Sequence, residues 1–164
     1  MDTATLFLSM ASASLLLALI LPVTALPRGG AELHLWVGAL LLQSGADFLV
    51  AQRGELSPLA TVLLANMLRS GALAFAYLAV ARLLGLVVSP AAGALAGGGA
   101  GCVMAAYLLD DRIARAALLG LIYAVQAGQI LVLLLSAPPG PGRALLRLLA
   151  LVVAATCACS CAPR

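Results

Sequence analysis

Ionisable and amide side chains interrupt three long apolar stretches of the sequence. Asp47 lies late in the second stretch, and Arg69 lies near the middle of the third. A charged group inside an apolar layer is costly unless it meets a polar partner, so each of these residues indicates either a functional site or a structural pairing. Amides accompany them, with Gln43 and Asn66 on the same two stretches and Gln126 on the fifth. We expect these five residues to form one polar cluster.

Helical spacing would bring these side chains onto shared faces. Gln43 is four residues before Asp47, and Asn66 is three residues before Arg69, so each pair lies on one face of a helix. Helical side chains lean toward the N-terminus of their own helix, so in a hairpin Arg69 would reach back to the level of Asp47 and form an ion pair. Gln126 is expected at nearly the same depth as Arg69.

The cluster has two interpretations. In the first, the polar groups satisfy one another and hold the second, third and fifth helices in register, with about 0.6 to 2 kcal/mol for each hydrogen bond. In the second, they line a ligand or ion pocket in the core of the bundle. The residue types alone are compatible with both interpretations.

The other reactive residue types do not combine into a catalytic or metal site. Cys157, Cys159 and Cys161 could bind a soft metal, but no His or second Cys pair supplies the remaining ligands of a closed zinc site. The only histidine, His34, stands beside Trp36 at the start of a stretch, where an amphipathic ring anchors at the membrane interface. We therefore predict no catalytic residues, no metal and no cofactor.

The composition identifies the solvent of most of the chain as lipid. Of the 164 residues, 64% are hydrophobic and only 9% are charged, and the mean hydropathy is +1.15. A chain of this size has too much surface to bury so many apolar residues away from water. The basic residues are all Arg, and a net charge of +3 spread along the sequence gives no basic patch. A nucleic-acid-binding protein is therefore excluded.

Six stretches have the length of about 20 residues that a helix needs to cross a bilayer. Short Pro-, Gly- or charge-containing breaks separate them, so consecutive helices should lie antiparallel and in contact. The sequence thus predicts an all-α fold, a polytopic transmembrane helical bundle of about six spans. It forms a single domain over residues 1–164, without a soluble domain. The predicted spans are 5–26, 33–52, 58–83, 87–109, 113–136 and 143–162.

Small residues recur every four positions on two of these spans. Helices pack closely in lipid where side chains are small, so these positions are expected to form helix contacts, and the two faces are expected to meet or to bind a second copy of the chain or another membrane protein. The residues are Gly93, Gly97 and Gly101 on the fourth span, and Gly120, Ala124 and Gly128 on the fifth.

Several segments between residues 1 and 135 resemble the membrane-embedded input region of bacterial GGDEF diguanylate cyclases. They are Leu33–Trp36 at the start of a helix, Ala51–Ser57 in a turn, Leu64–Leu68 in the next span, Arg82–Gly85 at its end, and the turn Tyr107–Arg115. The resemblance implies a multi-pass protein of the bacterial inner membrane that takes part in signal transduction.

In that family a cytoplasmic domain follows the membrane part and condenses two GTP molecules into cyclic di-GMP. The string Gly29–Leu33 mimics its signature motif only superficially, since it stands in a short turn without metal-binding carboxylates. We therefore expect a sensory input module without its catalytic output, with an ending that resembles a truncated tail. Two alternatives stay open: a small transporter or channel, and a passive membrane scaffold.

Overall fold

Helices make up the regular structure of the described residues. The computed structural model describes residues 2–25, 30–57, 59–88, 90–109 and 111–136, and within these ranges it contains no strand. A π-helical segment, Leu59–Leu64, runs directly into the third α-helix. The α-helices are α1 (Thr3–Ala25), α2 (Ala31–Ala51), α3 (Ala65–Leu83), α4 (Pro90–Tyr107) and α5 (Arg112–Leu135).

Four helices of the described part are long and apolar enough to cross a membrane, so the prediction of six spans is corrected. The four are Thr3–Val23, Ala31–Ala51, Leu59–Leu83 and Arg112–Leu135. The predicted fourth span, 87–109, corresponds to α4, whose 18 residues include five glycines. α4 is not among the four, and its glycines add length without adding hydrophobic side chains. The predicted sixth span, 143–162, lies outside the described residues.

The outer surface of the bundle is apolar. Large hydrophobic side chains such as Leu16, Ile20, Leu121 and Val132 are exposed on α1 and α5. A soluble monomer rarely exposes contiguous apolar surface of this extent, whereas lipid tails solvate it without cost. The four apolar helices therefore indicate a membrane protein whose outer faces are suited to contact with the lipid bilayer.

Helix α3 is the centre of the bundle. It packs against α2 on one side and against α4 and α5 on the other, while α1 packs only against α2 among the described helices. The backbones of α2 and α5 do not approach each other. The hydrophobic core cluster comes from α3 and α5, where Ala74, Tyr77 and Val80 pack with Ile130 and Leu134. The bundle therefore has two parts. One is the pair of α1 and α2, and the other consists of α3, α4 and α5 and is called the α3–α5 group below. The two parts meet along α3.

The turn at Gly85 explains how helix α3 ends. Gly85 has a φ of +66°, which a residue without Cβ adopts without strain. The N–H of Gly85 donates to the carbonyl of Arg82, and the N–H of Leu86 donates to that of Ala81, both at 2.9 Å. This is the pattern by which a glycine commonly ends a helix and satisfies its last carbonyls.

The two predicted glycine faces do not meet. Among the described residues, a Cβ added at Gly97, Gly101, Gly120 or Gly128 would find no atom within 4 Å, apart from neighbours along its own helix. Ala124 is exposed, and Gly93 faces Val88 just before its own helix.

Helix α4 instead buries a different face. That face consists of Gly99, Val103 and Ala106, which are spaced by four and three residues. The reason is that Gly99 is the position where α4 comes closest to a pair of buried polar side chains on its neighbours. The stripe that carries the contact therefore lies on nearly the opposite side of α4 from the predicted one.

Candidate functional site

The predicted ion pair joins α2 and α3. Arg69 Nη2 donates to Asp47 Oδ1 at 2.6 Å, and Gln43 Nε2 donates to Asp47 Oδ2 at 3.0 Å. Both carboxylate oxygens therefore have a hydrogen-bond partner. Because Gln43 lies one helical turn before Asp47, it holds the carboxylate oriented toward α3. A buried carboxylate is stable only when its lone pairs are satisfied in this way.

The two charges of the pair are buried unequally. The side chain of Asp47 is 1% exposed, whereas that of Arg69 is 29% exposed. Arg69 lies two residues from Gly71, the midpoint of the span Leu59–Leu83, or about 3 Å along the helix axis at 1.5 Å per residue. The pair thus lies inside the apolar layer, and its cation reaches the surface of the bundle there.

The guanidinium of Arg69 has donor capacity that the pair does not use. An arginine side chain carries five N–H donors. Arg69 makes one hydrogen bond, from Nη2 to Asp47, and its Nε and Nη1 atoms find no acceptor among the described residues. The partly exposed cation therefore keeps free donors at membrane depth.

A second polar contact joins α3 to α5. The hydroxyl of Tyr123 donates to Asn66 Oδ1 at 2.6 Å, and Asn66 Nδ2 donates to the carbonyl of Val62 at 2.6 Å. Val62 belongs to the π-helical segment, so this bond lies where that segment runs into α3. Asn66 supplies a donor at this junction and an acceptor for α5.

The third contact brings three helices together. Ser70 on α3 is fully buried, and Gln126 on α5 is 3% exposed. Gln126 Nε2 lies 2.9 Å from Ser70 Oγ and 3.3 Å from the carbonyl of Ser70. A Cβ added at Gly99 on α4 would overlap Gln126 Nε2 and Ser70 Oγ. The absent side chain of Gly99 is therefore what lets α4 approach this pair.

The five predicted residues thus divide between two contacts of α3 with its neighbours. Gln43, Asp47 and Arg69 form one group with α2, whereas Asn66 and Gln126 belong to contacts with α5. Gln126 was expected at nearly the depth of Arg69, and in the structure it bonds to Ser70, the next residue along α3, which agrees with that depth. The helical spacing places Asn66 near Arg69 in sequence, yet the two side chains turn to different neighbours.

Three residues of the site were not among the five. The sequence pattern nevertheless indicates two of them, since Ser70 shares a helical face with Asn66 and Tyr123 lies with Gln126 on the fifth span, and both take part in the contacts. Gly99 gave no such signal, because it is one of three consecutive glycines and only the packing distinguishes it.

Replacing Tyr123 with phenylalanine is expected to lower the free energy of unfolding by about 0.6 to 2 kcal/mol, because it removes the interhelical hydrogen bond to Asn66. Unfolding in mixed detergent micelles measures the difference. Tyr107→Phe is the matched control, since its ring still lies under the Arg115 guanidinium, 5.1 Å away, and no described residue bonds its hydroxyl. Equal stability of both variants would contradict a structural role for the Tyr123 hydroxyl.

The remaining sequence candidates give no second site in the described part of the chain. No group of three metal-ligating side chains occurs there. Cys157, Cys159 and Cys161 lie outside the described residues. His34 Nδ1 lies 3.3 Å from the carbonyl of Gly30, one turn earlier at the start of α2.

A shallow cleft between the π-helical segment, α3, α4 and α5 encloses no space for a water molecule, and neither charge of the ion pair lines it. Its lining residues are Val62, Leu63, Asn66, Val103, Tyr107, Arg115 and Leu119.

Comparison of the chain with protein-family models, with curated proteins and with solved structures found no match in any of the three.

Proposed function

We propose that the protein is a membrane-embedded input module of a signalling system, in which the contact between α2 and α3 responds to a stimulus. The observation that carries the proposal is the unequal burial of the ion pair, with Asp47 1% exposed and Arg69 29% exposed. The pair joins α2 to α3, while the guanidinium of Arg69 stays accessible from the surface of the bundle. A stimulus acts by favouring one packing of the two helices over another.

The distribution of contacts along α3 supports relative movement of two parts. The ion pair holds α2, whereas separate hydrogen bonds that Tyr123 and Gln126 of α5 donate to Asn66 and Ser70 hold α5. Weakening the ion pair therefore leaves the α3–α5 group intact. Because α1 packs only against α2 among the described helices, α1 and α2 would shift together.

The resemblance to diguanylate cyclase input regions supports a location in the bacterial cytoplasmic membrane and a signalling role. Output would pass to a second copy of the chain or to another membrane protein. The open faces around Gly97 and Gly101 on α4 and Gly120 and Gly128 on α5 are suited to such a contact, because small residues allow close helix approach.

The burial of Asp47 favours an input module over a transporter or channel. Ion or proton transport would require solvent access to the buried charge, whereas both oxygens of Asp47 are paired within the protein. A passive scaffold would keep the same helix packing whether or not the ion pair is present. The input module and the passive scaffold therefore predict different results for one measurement, the change in the distance between α2 and α5 when the ion pair is removed.

The experiment is a distance measurement between spin labels on the two parts of the bundle. Labels at Leu41 on α2 and Leu121 on α5, both exposed, would be introduced through cysteines after replacement of the native ones. We expect Asp47→Asn to shift the distance by about 1 to 2 Å or more, or to add a second distance, because the interhelical charge pair is lost.

A label pair at Met104 on α4 and Leu121 on α5 is the control, because it lies within the α3–α5 group and should not respond. An unchanged distance between the labels at Leu41 and Leu121 in Asp47→Asn would instead support the scaffold and reject the input module.

A further inference from the structure

We propose that the groove between α2 and α5 binds a lipid-soluble molecule through a neutral carbonyl oxygen, which accepts a hydrogen bond from the Arg69 guanidinium. This inference rests on the proposed function, because it names the ligand class to which the ion-pair site would respond.

The groove follows from the arrangement of three helices. α2 and α5 flank α3 without approaching each other. On the α2 side Asp47 binds the guanidinium of Arg69, and on the α5 side Tyr123 binds Asn66, which precedes Arg69 by three residues on α3. Arg69 therefore lies on α3 between the two walls of the groove.

The donors of Arg69 determine which chemical group the groove would bind. Its Nε and Nη1 find no acceptor among the described residues, and the side chain is 29% exposed. Water does not solvate N–H groups in the hydrocarbon layer, so unpaired donors there are unfavourable. A ligand oxygen that accepts one of these bonds removes part of that penalty.

The charge balance favours a neutral acceptor over a carboxylate. Asp47 already neutralises Arg69 at a distance of 2.6 Å. A second carboxylate would leave an uncompensated negative charge inside the membrane, which is costly, whereas a carbonyl oxygen adds none. The ion pair of Asp47 and Arg69 therefore disfavours the binding of an anionic ligand, although Arg69 itself is a cation.

The depth of Arg69 determines how the ligand arrives. The residue lies about 3 Å along the axis from the midpoint of its span, and the hydrocarbon core extends about 15 Å to either side of its centre. A ligand with a carbonyl on an apolar body can diffuse to this level within the lipid. A fully substituted quinone with an alkyl chain has this chemistry and does not add readily to thiols.

The test is a binding titration of the purified protein in detergent with 2,3-dimethoxy-5-methyl-6-decyl-1,4-benzoquinone. We expect saturable stabilisation of the folded protein against heat, as for any ligand that binds only the native state. Decylbenzene, which has the chain and ring without the carbonyls, and decanoic acid, which supplies a carboxylate, should each bind about tenfold or more weakly.

The double variant Asp47→Leu/Arg69→Leu should also bind the quinone about tenfold or more weakly, because the donor is absent. Arg82→Leu is the matched control at the exposed end of α3, and it should bind as the unmodified protein does. If the double variant fails to fold, the three probes on the unmodified protein still decide the question.

Equal binding of decylbenzene, tighter binding of decanoic acid or undiminished quinone binding by the folded double variant would each overturn the inference. The spin-label experiment uses no ligand, so its result is independent. A distance shift in Asp47→Asn together with absent quinone binding would reject this ligand class and leave the input module standing.

Discussion

Replacing Arg69 with leucine is expected to lower the free energy of unfolding by about 3 to 5 kcal/mol, because it removes the cation that pairs with the buried carboxylate of Asp47. Asp47 is 1% exposed, and one of its two oxygens depends on Arg69 for its hydrogen bond. Gln43 would remain as an uncharged partner of the other oxygen and could not compensate the charge. Reversible unfolding in mixed detergent micelles measures the loss.

Two further variants separate the charge effect from a general effect of leucine. Arg82→Leu makes the same change at the exposed end of α3 and should alter stability by less than about 0.5 kcal/mol. The double variant Asp47→Leu/Arg69→Leu removes both charges and should recover much of the loss, since replacing a whole buried pair with apolar side chains is often neutral. If Arg69→Leu were as stable as Arg82→Leu, the ion pair would not contribute to the packing of α2 on α3.

The ion pair could be predicted because a short hairpin constrains the two residues. The connection from Gln52 to Ser57 is too short to change the relative depth of α2 and α3 by much, and the lean of helical side chains carries Arg69 back toward Asp47. The position of Gln126 was less constrained, because no sequence rule determines how α5 is rotated about its own axis. That rotation determines which side chain of α3 Gln126 contacts, and this side chain is Ser70.

Within the described residues the number of spans was overestimated by one, because segment length was weighed more than hydropathy. α4 is long enough, but its five glycines reduce the apolar character that a membrane helix needs. The same glycines make its packing hard to predict, because several faces of such a helix offer small residues at helical spacing. The four-residue repeat of Gly93, Gly97 and Gly101 is the more regular pattern, yet Gly99 is the position where α4 approaches its neighbours.

Gly99→Ala should be less stable than Gly98→Ala by about 1 to 3 kcal/mol, which is the range for an overpacked core position. A methyl group at Gly99 would overlap Gln126 Nε2 and Ser70 Oγ, and both side chains are buried and bonded to each other. The neighbours can make room only by weakening that bond or by moving α4 outward.

Gly98 is the matched control for this substitution. It lies one residue earlier on the same helix and is exposed, and no atom of the described residues lies within 4 Å of a Cβ added there, apart from neighbours along its own helix. Both variants gain the same helix propensity from alanine, so their difference isolates the steric overlap. Unfolding in mixed micelles gives that difference, and the Met104–Leu121 label distance should lengthen only in Gly99→Ala. Equal stabilities and equal distances would show that α4 does not pack closely on the Ser70–Gln126 pair.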